Sequence, residues 1–273
     1  ESLLFKGRNK KQEGMVRKMI RIIMNGCNGK MGQVISALVE EDKETCMAAG
    51  IDIRDSGRNP YPVYSDLWDC NVEADCLIDF STASAVDSVL KYCVEKKLPC
   101  VLCTTGLSEE QIKGVEEASA RTAILRSANM SLGINLLFKL LKTAARTLAE
   151  AGFDMEIVEK HHRLKLDAPS GTALALADAI NEEFGNEYEY VYDRSPRRQK
   201  RPDKEIGISA VRGGTIVGEH DVIFAGEDEV ITFSHQAFSK AVFGKGAVEA
   251  AKFLAGKSAG LYQMSDVIDA RVK

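Results

Sequence analysis

A glycine-rich turn between a short apolar run and an amphipathic stretch constrains the fold of this chain more than any other feature. Residues 20–24 are apolar and rich in β-branched side chains, and Gly-Cys-Asn-Gly-Lys-Met-Gly follows at 26–32. Residues 31–41 then carry apolar side chains at helical spacing. A strand that enters a helix through such a turn begins a βαβ unit, which requires a parallel sheet. The pattern therefore predicts an α/β fold.

The alternation of strands and helices continues to about residue 131. Further strands are predicted at 46–53, 75–80, 99–103 and 122–127, and helices at 82–96 and 108–120. The second of these helices opens with the capping box Ser108-Glu-Glu-Gln111. This order predicts βαβ units and a mostly parallel sheet over residues 20–131.

The second half of the chain has a different pattern. A long amphipathic helix at 131–151 precedes a strand at 153–162, a helix at 172–184, strands at 206–212, 215–225 and 229–237, and a helix at 242–254. Three successive strands predict a mixed or antiparallel sheet facing a layer of helices, and hence an α+β domain over residues 132–240. We expect residues 241–273 to pack back on the first domain. Residues 1–19 are interpreted as a disordered or non-native extension.

Composition places the chain among ordinary globular proteins. Its 273 residues are 45% hydrophobic and 28% charged, which excludes a wholly disordered chain, and no apolar run approaches the ~18–20 residues of a membrane span. A formal charge of −4 argues against nucleic acid as a partner. All seven cysteines lie in the first 103 residues, their number is odd, and no secretory signal is visible. We therefore expect buried, reduced thiols in a cytoplasmic protein.

The turn at residues 26–32 is the first candidate site. Glycines let the backbone approach a pyrophosphate, and the start of the helix offers free N–H groups. Asp52 follows the second strand, 20 residues beyond Gly32, where its carboxylate can accept the hydroxyls of an adenosine ribose. A carboxylate repels a 2′-phosphate and Ile53 follows it, so NADH is favoured over NADPH, although Arg54 can still reach a phosphate. The alternative is a strand–turn–helix with an incidental glycine cluster.

The second candidate site is the string Glu-Lys-His-His-Arg-Leu-Lys-Leu-Asp-Ala-Pro-Ser-Gly-Thr at 159–172. Ser170, Gly171 and Thr172 place hydroxyls and N–H groups at the start of a helix, an arrangement that suits a carboxylate. Lys165 adds a cation nearby. The string predicts an anion-binding pocket with proton donors.

Two adjacent histidines, His161 and His162, end the strand that leads into this string. Neighbouring side chains on a strand face opposite sides, so one histidine is expected to face the site while the other packs, unless the chain turns at Arg163. Adjacent histidines do not match the spacing of metal ligands, so no metal site is predicted.

A basic stretch at residues 194–204 carries six lysines and arginines and two prolines. We interpret it as a solvated, mobile loop. A loop that covers an anionic ligand is the alternative.

Taken together, these strings resemble the 4-hydroxy-tetrahydrodipicolinate reductase family, long called dihydrodipicolinate reductases. The resemblance rests on residues 159–173 and continues through 26–32, 79–81, 103–106, 127–133, 218–220 and 260–264, so that it covers essentially all of 20–268. It implies a Rossmann-type domain, an α+β domain for substrate and oligomerisation with a mixed sheet, and a homotetramer. The implied reaction uses NADH or NADPH to reduce 4-hydroxy-tetrahydrodipicolinate, a small dicarboxylate, to tetrahydrodipicolinate with loss of water. This reaction is a step of the diaminopimelate route to lysine.

The resemblance also implies roles for individual residues. His161 resembles the family's proton donor or acceptor and Lys165 its proton donor, and a positioned acid suits hydride addition to a conjugated C=N system. The implied substrate-binding residues are His162, Ser170, Gly171, Thr172 and Lys240. The implied cofactor-binding residues are Gly26, Cys27, Asn28, Gly29, Lys30, Met31, Asp52, Phe80, Cys103, Thr104, Thr105, Ser127, Ala128, Asn129 and Met130.

Three residues depart from the family pattern. Cys103 stands at a usual glycine, Lys240 at a usual arginine, and Ile53 at an arginine that some members use for the phosphate of NADPH. None of these departures removes a proton donor, so we expect activity to survive. Two alternatives stay open: another small amino-acid-type dehydrogenase, such as an aspartate dehydrogenase, and a non-catalytic nucleotide-binding relative.

Overall fold

The computed structural model describes residues 19–272, in which two sheets are surrounded by helices. The predicted extension at 1–19 lies outside these residues apart from its last position. The strands are β1 (Ile20–Asn25), β2 (Thr45–Ile51), β3 (Val63–Tyr64), β4 (Cys76–Asp79), β5 (Cys100–Leu102), β6 (Ala123–Arg126), β7 (Asp154–His161), β8 (Glu189–Val191), β9 (Glu205–Arg212), β10 (Gly218–Ala225), β11 (Val230–Ala237) and β12 (Gly260–Tyr262). The helices are α1 (Lys30–Glu41), α2 (Val86–Lys96), α3 (Glu109–Ser119), α4 (Leu132–Glu150), α5 (Gly171–Asn181), α6 (Ala241–Leu254) and α7 (Met264–Val272).

The first sheet is parallel throughout, as the alternation of strands and helices predicted. Its order is β12-β6-β5-β4-β1-β2-β3. Successive residues of β1 enter opposite layers, with Ile22 and Met24 in one apolar cluster and Ile23 in the other. All three side chains are at most 1% exposed, because helices cover both faces of the sheet.

The last part of the chain returns to this first sheet. β12 pairs with β6 at its edge, and Ala247, Leu254 and Met264 share an apolar cluster with Ile22. The helix predicted at 242–254 is α6, whereas β12 and α7 were not predicted. β12 has only three residues, Gly-Leu-Tyr, and no run of apolar side chains marks it in the sequence.

The second sheet is mixed, which confirms the predicted fold class. Its order is β11-β10-β7-β9-β8, with β7 parallel to β9 and antiparallel to β10. Helices α4 and α5 pack on one face, where Met155 and Ile157 of β7 are buried. Because side chains alternate along a strand, Glu159 and His161 continue this covered face.

The register of the second sheet brings distant polar residues together. His220 on β10 lies opposite both Glu159 on β7 and His235 on β11. Two positions beyond Glu159 on β7, His161 lies opposite Arg212 on β9. The covered face therefore ends in a cluster of ionisable side chains beside the start of α5.

Candidate active site

The glycine turn after β1 brings the backbone close to the end of β4, the neighbouring strand in the sheet. Gly26 has a φ of +82°, and a Cβ atom there would lie 2.7 Å from the carbonyl oxygen of Phe80. A Cβ on Gly32 would lie 2.2 Å from the carbonyl oxygen of Gly26. Helix α1 begins after Gly29, and no side chain caps it. The first turn of α1 therefore keeps N–H groups available for an anion such as a pyrophosphate.

Asp52 lies at the end of β2 beside this turn, where the sequence predicted an acid. Its carboxylate accepts a hydrogen bond from the backbone N–H of Asn28 at 2.9 Å. The Asn28 side chain donates to the carbonyl of Arg54 and accepts from Ser56 and Asn59 at 2.7 and 2.9 Å. The loop that follows β2 is thereby fixed to the glycine turn.

Asp79, at the end of β4, is a buried polar residue that the sequence analysis assigned no role. Its carboxylate accepts hydrogen bonds from Asn25 at 2.7 Å, from the Ser81 hydroxyl at 2.6 Å and from the Thr104 hydroxyl at 2.6 Å. It thus joins the carboxyl ends of β1, β4 and β5, where ligands of parallel α/β sheets bind. An acid directly after an apolar strand was the signal that could have found it.

Cys103 follows β5 and is half-buried, and its N–H donates to the carbonyl of Asp79 at 2.9 Å. Burial, with the neighbouring Asp79 carboxylate, raises the pKa of the Cys103 thiol well above its usual value. The residue is therefore a neutral thiol. All seven cysteines are free, and the prediction of buried thiols is confirmed for five of them: Cys27, Cys70, Cys76, Cys93 and Cys100.

Residues 127–130, which follow β6, connect the two candidate sites. The Asn129 amide donates to the hydroxyl of Thr172 at 3.0 Å, and its oxygen accepts from the N–H of Ser131 at 2.8 Å. A predicted cofactor-binding residue therefore touches a predicted substrate-binding residue. Other predicted cofactor residues differ in exposure: Cys27, Thr104 and Met130 are buried, Phe80, Met31 and Ser127 are half-buried, and Lys30, Thr105 and Ala128 are exposed.

The N-terminus of α5 is capped from within. The Ser170 hydroxyl accepts a hydrogen bond from the N–H of Ala173 at 3.2 Å and contacts Nε2 of His220 at 3.1 Å. Ser170 is 2% exposed, so its hydroxyl is engaged in the fold. Gly171 is exposed and Thr172 half-buried, which leaves these two residues accessible to a carboxylate.

His161 is nearly buried and is held by a carboxylate. Its Nδ1 lies 2.6 Å from Glu159. Arg212 donates to both oxygens of Glu159, at 2.6 and 2.7 Å, and the N–H of Ser170 donates at 2.9 Å. Burial would raise the pKa of Glu159, but these hydrogen bonds lower it overall. Burial lowers the pKa of His161 despite Glu159, so the imidazole is neutral at neutral pH.

Glu159, Arg212 and His220 had no assigned role in the sequence analysis. The His220 ring meets the His161 ring edge-on, with centroids 5.2 Å apart. Burial lowers the pKa of His220 to about 4. His220 is therefore a neutral neighbour of His161. Glu159 and His220 lie within the segments 159–173 and 218–220 that carry the family resemblance. Only the register of the sheet shows that the two residues lie opposite each other.

His162 and Lys165 lie on the turn that leaves β7. The carbonyl of His162 accepts the N–H of Lys165 at 3.0 Å, and Nδ1 of His162 is buried without a partner among the described residues. The Lys165 ammonium lies 2.9 Å from Asp167, whose side chain is 58% exposed. The lysine is thus held by a solvated ion pair that a ligand carboxylate can replace.

Lys240 and the basic stretch lie apart from these contacts. Lys240 is the exposed N-cap of α6, and within residues 19–272 its ammonium has no ion-pair partner. Arg194, Arg197 and Arg201 form ion pairs with carboxylates of the second sheet and its edge: Asp154, Glu156, Glu189 and Glu205. Arg194 and Arg197 are exposed, as a solvated stretch predicts, and all three arginines are also ion-paired to the sheet.

Neither a group of metal ligands nor a membrane-spanning helix is found among the described residues. None of their His, Cys, Asp and Glu side chains form a group of three or more suited to a metal ion. No helix within residues 19–272 combines the length and apolar character needed to cross a bilayer.

Matches to known proteins extend over almost all of the described residues. Residues 20–130 match the family model "Dihydrodipicolinate reductase, N-terminus", and residues 133–268 match "Dihydrodipicolinate reductase, C-terminus". A 4-hydroxy-tetrahydrodipicolinate reductase of Caldanaerobacter subterraneus subsp. tengcongensis is 56% identical over 250 residues, which are 92% of this chain and 98% of the relative. The enzyme of the same name from Clostridium tetani is 46% identical over 251 residues, with the same coverage of both chains.

A solved structure has the same fold. It is a dipicolinate-bound dihydrodipicolinate reductase from Paenisporosarcina sp. TG-14, with a TM-score of 0.73 and 26% identity over 90% of this chain and 97% of that chain. A probable dehydrogenase from Thermotoga maritima, at 13% identity, has a TM-score of 0.59 over 92% of this chain and 93% of that chain, and shares the fold alone.

Proposed function

Because the chain belongs to the dihydrodipicolinate reductase family, we infer that it is an oxidoreductase that reduces 4-hydroxy-tetrahydrodipicolinate to tetrahydrodipicolinate. The reaction takes up one hydride and one proton, releases one water and is a step of lysine biosynthesis. The observation that carries this function is the hydrogen bond between Asn129 and Thr172. It joins the loop after the nucleotide-type sheet to the helix start that suits a dicarboxylate.

The residues of the first sheet fit a pyridine nucleotide. The close approach at Gly26 leaves no room for a side chain, α1 begins without a cap, and Asp52 lies beside the turn. We propose that the predicted set from Gly26 to Met31, with Asp52, Phe80, residues 103–105 and residues 127–130, binds the cofactor. When bound, NADH or NADPH supplies the hydride.

NADH is the cofactor that we propose this chain prefers. A carboxylate at Asp52 repels a 2′-phosphate, and Ile53, 86% exposed, offers no charge to bind one. Titration of the protein with NADH and NADPH under identical conditions tests this preference through the two Kd values. A lower Kd for NADPH contradicts it and assigns phosphate binding to other cations, of which Arg54 is the nearest in the chain.

Substrate binding is proposed at the start of α5. Free N–H groups and partial positive charge at a helix N-terminus favour a carboxylate, and Gly171 and Thr172 are accessible there. We propose that Lys165 and Lys240 contribute cations and that His162 contributes its ring. Ser170 caps α5 with its side chain and so fixes the start of the helix. We propose that Gly171 and Thr172, rather than Ser170, contact the substrate directly. The ion pair of Lys165 with exposed Asp167 is worth ~1 kcal/mol at most, so its replacement costs little.

Proton transfer is proposed for Lys165 and His161. Hydride addition to a conjugated C=N system leaves electron density that a positioned acid must neutralise. Lys165 carries a proton at Nζ and is the proposed donor. His161 directs Nδ1 to Glu159, so its Nε2 accepts or returns a proton while the carboxylate stabilises the cationic ring.

A coupled assay tests this function. Dihydrodipicolinate synthase generates the substrate in place, and oxidation of NADH or NADPH is followed by absorbance. We expect turnover that depends on both synthase and this protein. Absence of turnover with either cofactor contradicts the function. Oxidation of L-aspartate with NAD⁺ instead identifies an aspartate dehydrogenase, and cofactor binding without turnover identifies a non-catalytic relative.

The assembly and location of the protein are also proposals. We propose a homotetramer in the cytoplasm. Its contact surface is the uncovered face of the second sheet, which carries the exposed Val211. The neighbouring Lys160 contacts Glu219 and Asp221 on this face at 3.1 and 3.2 Å, so these charges are paired with one another beside the apolar Val211.

A further inference from the structure

The buried carboxylate of Glu159 has every acceptor position occupied. One oxygen accepts from Ser170 N–H and from one nitrogen of Arg212, and the other faces the second Arg212 nitrogen and His161 Nδ1. An ionised carboxylate can only accept hydrogen bonds. The proton of the neutral His161 ring must therefore be on Nδ1, and the lone pair on Nε2.

The opposite side of the His161 ring faces a glycine. A Cβ atom on Gly218 would lie 3.1 Å from Nε2 of His161, tighter than an ordinary van der Waals contact. Gly218 has no positive φ, so its conformation does not require glycine. The absence of a side chain instead leaves space next to the nitrogen that carries the lone pair.

Glu159 also connects the His161 ring to the substrate cradle. It accepts the N–H of Ser170, and Ser170 caps the helix that begins at Gly171. One carboxylate thus fixes both the proton-transfer group and the helix start beside it. Arg212, from the neighbouring strand, holds this carboxylate through two parallel hydrogen bonds, the geometry with the highest directional specificity.

We propose that Glu159 is a positioning residue that sets the tautomer of His161, and that Gly218 keeps Nε2 of His161 open to the reactant. This proposal rests on the proposed reductase function for its kinetic consequences. The tautomer itself is a property of the protein without substrate, so it is tested separately from activity.

Glu205 offers a matched comparison for Glu159. It is also a carboxylate of the second sheet, 1% exposed and paired with arginines, among them Arg197 at 3.6 Å. It contacts no histidine among the described residues. A role limited to structure predicts the same behaviour for Glu159→Gln and Glu205→Gln.

The first experiment is the Glu159→Gln variant, with Glu205→Gln as its control. A glutamine has one oxygen and one NH₂ group, so it cannot accept from all four donors. Keeping Ser170 and one nitrogen of Arg212 turns the NH₂ toward His161, which must then accept at Nδ1 and carry its proton on Nε2. We expect nitrogen NMR of the His161 ring to show this inverted tautomer in Glu159→Gln alone. An unchanged tautomer overturns the proposal.

The kinetic expectation is a loss of kcat rather than of cofactor binding. A misplaced general acid or base costs on the order of 10²–10⁴-fold in rate, so we expect kcat of Glu159→Gln to fall by about 10²-fold or more while the Kd of NADH is unchanged. Glu159→Asp, which keeps the charge, should restore part of the rate. Equal losses in Glu159→Gln and Glu205→Gln overturn the positioning role.

The pH profile gives a third measurement. The charged and titratable groups that face His161 are Glu159 on its own strand, Arg212 on β9, His220 on β10 and Lys165 on the turn, while His235 lies behind His220. Loss of the Glu159 charge disfavours the protonated ring, so the limb of kcat/KM that reports His161 should move to lower pH in Glu159→Gln. The limb should not move in Glu205→Gln, and a shift of equal size there contradicts the proposal.

Gly218→Ala keeps the test decisive if Glu159→Gln does not fold. Its new methyl group should cover Nε2 and lower kcat without changing the tautomer. Gly213→Ala is the control, because a Cβ there meets nothing within 4 Å.

Full activity of Gly218→Ala contradicts the role of Nε2, and an Nε2–H tautomer in the unaltered protein contradicts the role of Glu159. If the unaltered protein has no activity, the proposed function fails, and the NMR result still decides the tautomer.

Discussion

At the scale of single residues, the proposed chemistry of this chain depends on where the fold places a lysine, since an ion pair with a carboxylate does not distinguish one lysine from another. Lys142 and Lys165 each lie within 3 Å of one acid, Glu182 and Asp167. Lys165 alone of the two lies on the turn that leaves His161, with the 77% exposed Leu164 before it. Position in the fold, rather than residue type, therefore selects the proposed proton donor.

Replacement of Lys165 by alanine should affect turnover far more than substrate affinity. Loss of a proton donor costs about 10²–10⁴-fold in rate, whereas the exposed ion pair contributes little binding energy. Steady-state kinetics of Lys165→Ala should show a large fall in kcat and a small rise in KM. Lys142→Ala is the control and should keep both values. A large rise in KM with unchanged kcat would assign Lys165 to binding alone.

At the scale of elements, the helix starts differ in what satisfies their N–H groups. Serine side chains cap α3, α4 and α5 through Ser108, Ser131 and Ser170. Helix α1 begins after Gly29 without a side-chain cap. A capped start has fewer N–H groups left for a ligand. Helices α2 and α6 also begin without a side-chain cap, but the start of α1 lies on the glycine turn beside Asp52 and therefore suits a pyrophosphate.

Gly32→Ala tests how closely the elements of this turn must approach. The new Cβ would overlap the backbone of Gly26 and Cys27, and overpacking of this kind costs ~1–3 kcal/mol. We expect the free energy of unfolding to fall by that amount and the Kd of NADH to rise by at least about tenfold.

Gly114→Ala is the matched control for Gly32→Ala. Gly114 lies inside α3, and a Cβ there would lie 3.9 Å from Leu90. Alanine is the better helix former by ~1 kcal/mol, so stability should rise and nucleotide affinity should stay the same. Equal stability of both variants would contradict a close approach at Gly32.

At the scale of the whole molecule, two sheets of different construction share one site. We propose that residues 20–131 with 241–272 form the nucleotide-binding domain and that residues 132–240 form the substrate-binding domain. Asn129 and Thr172 connect them. The second sheet keeps one face uncovered by helices, which makes it the proposed contact surface between copies of the chain.

The mass in solution tests the assembly. We expect light scattering to give about four times the chain mass of 29.9 kDa. Val211→Glu places a charge on the uncovered sheet face and should reduce the mass, because an unpaired charge is costly to bury in an interface. Leu261→Glu, at an equally exposed position (46%) on the first sheet, should leave the mass unchanged. A single-chain mass for the unaltered protein contradicts the tetramer.

Local pattern was enough to predict both sheets, and the position of Asp52, because strand and helix periodicity is carried by neighbouring residues. Short strands without an apolar run escaped prediction, as β12 shows with Gly-Leu-Tyr, whereas the equally short β5 is the apolar run Cys-Val-Leu and was predicted. The contact between Glu159 and Arg212 also escaped prediction, since the two residues are 53 positions apart in the chain. Such contacts depend on strand register, which the periodicity of a single strand does not contain. The histidine motif was found together with Glu159, but the role of this carboxylate in holding His161 was not predicted.

The return of the chain to its first sheet has a consequence for the order in which the two sheets fold during translation. β12 is the edge strand beside β6, and Met264 and Val267 belong to the cluster that covers β1. A ribosome synthesises these residues after those of the second sheet, so the nucleotide-type sheet still lacks β12 and part of its cover when the second sheet is already complete. The second sheet, complete by Ala237, can fold earlier as a unit. The half of the enzyme that is encoded first is therefore the half that is finished last.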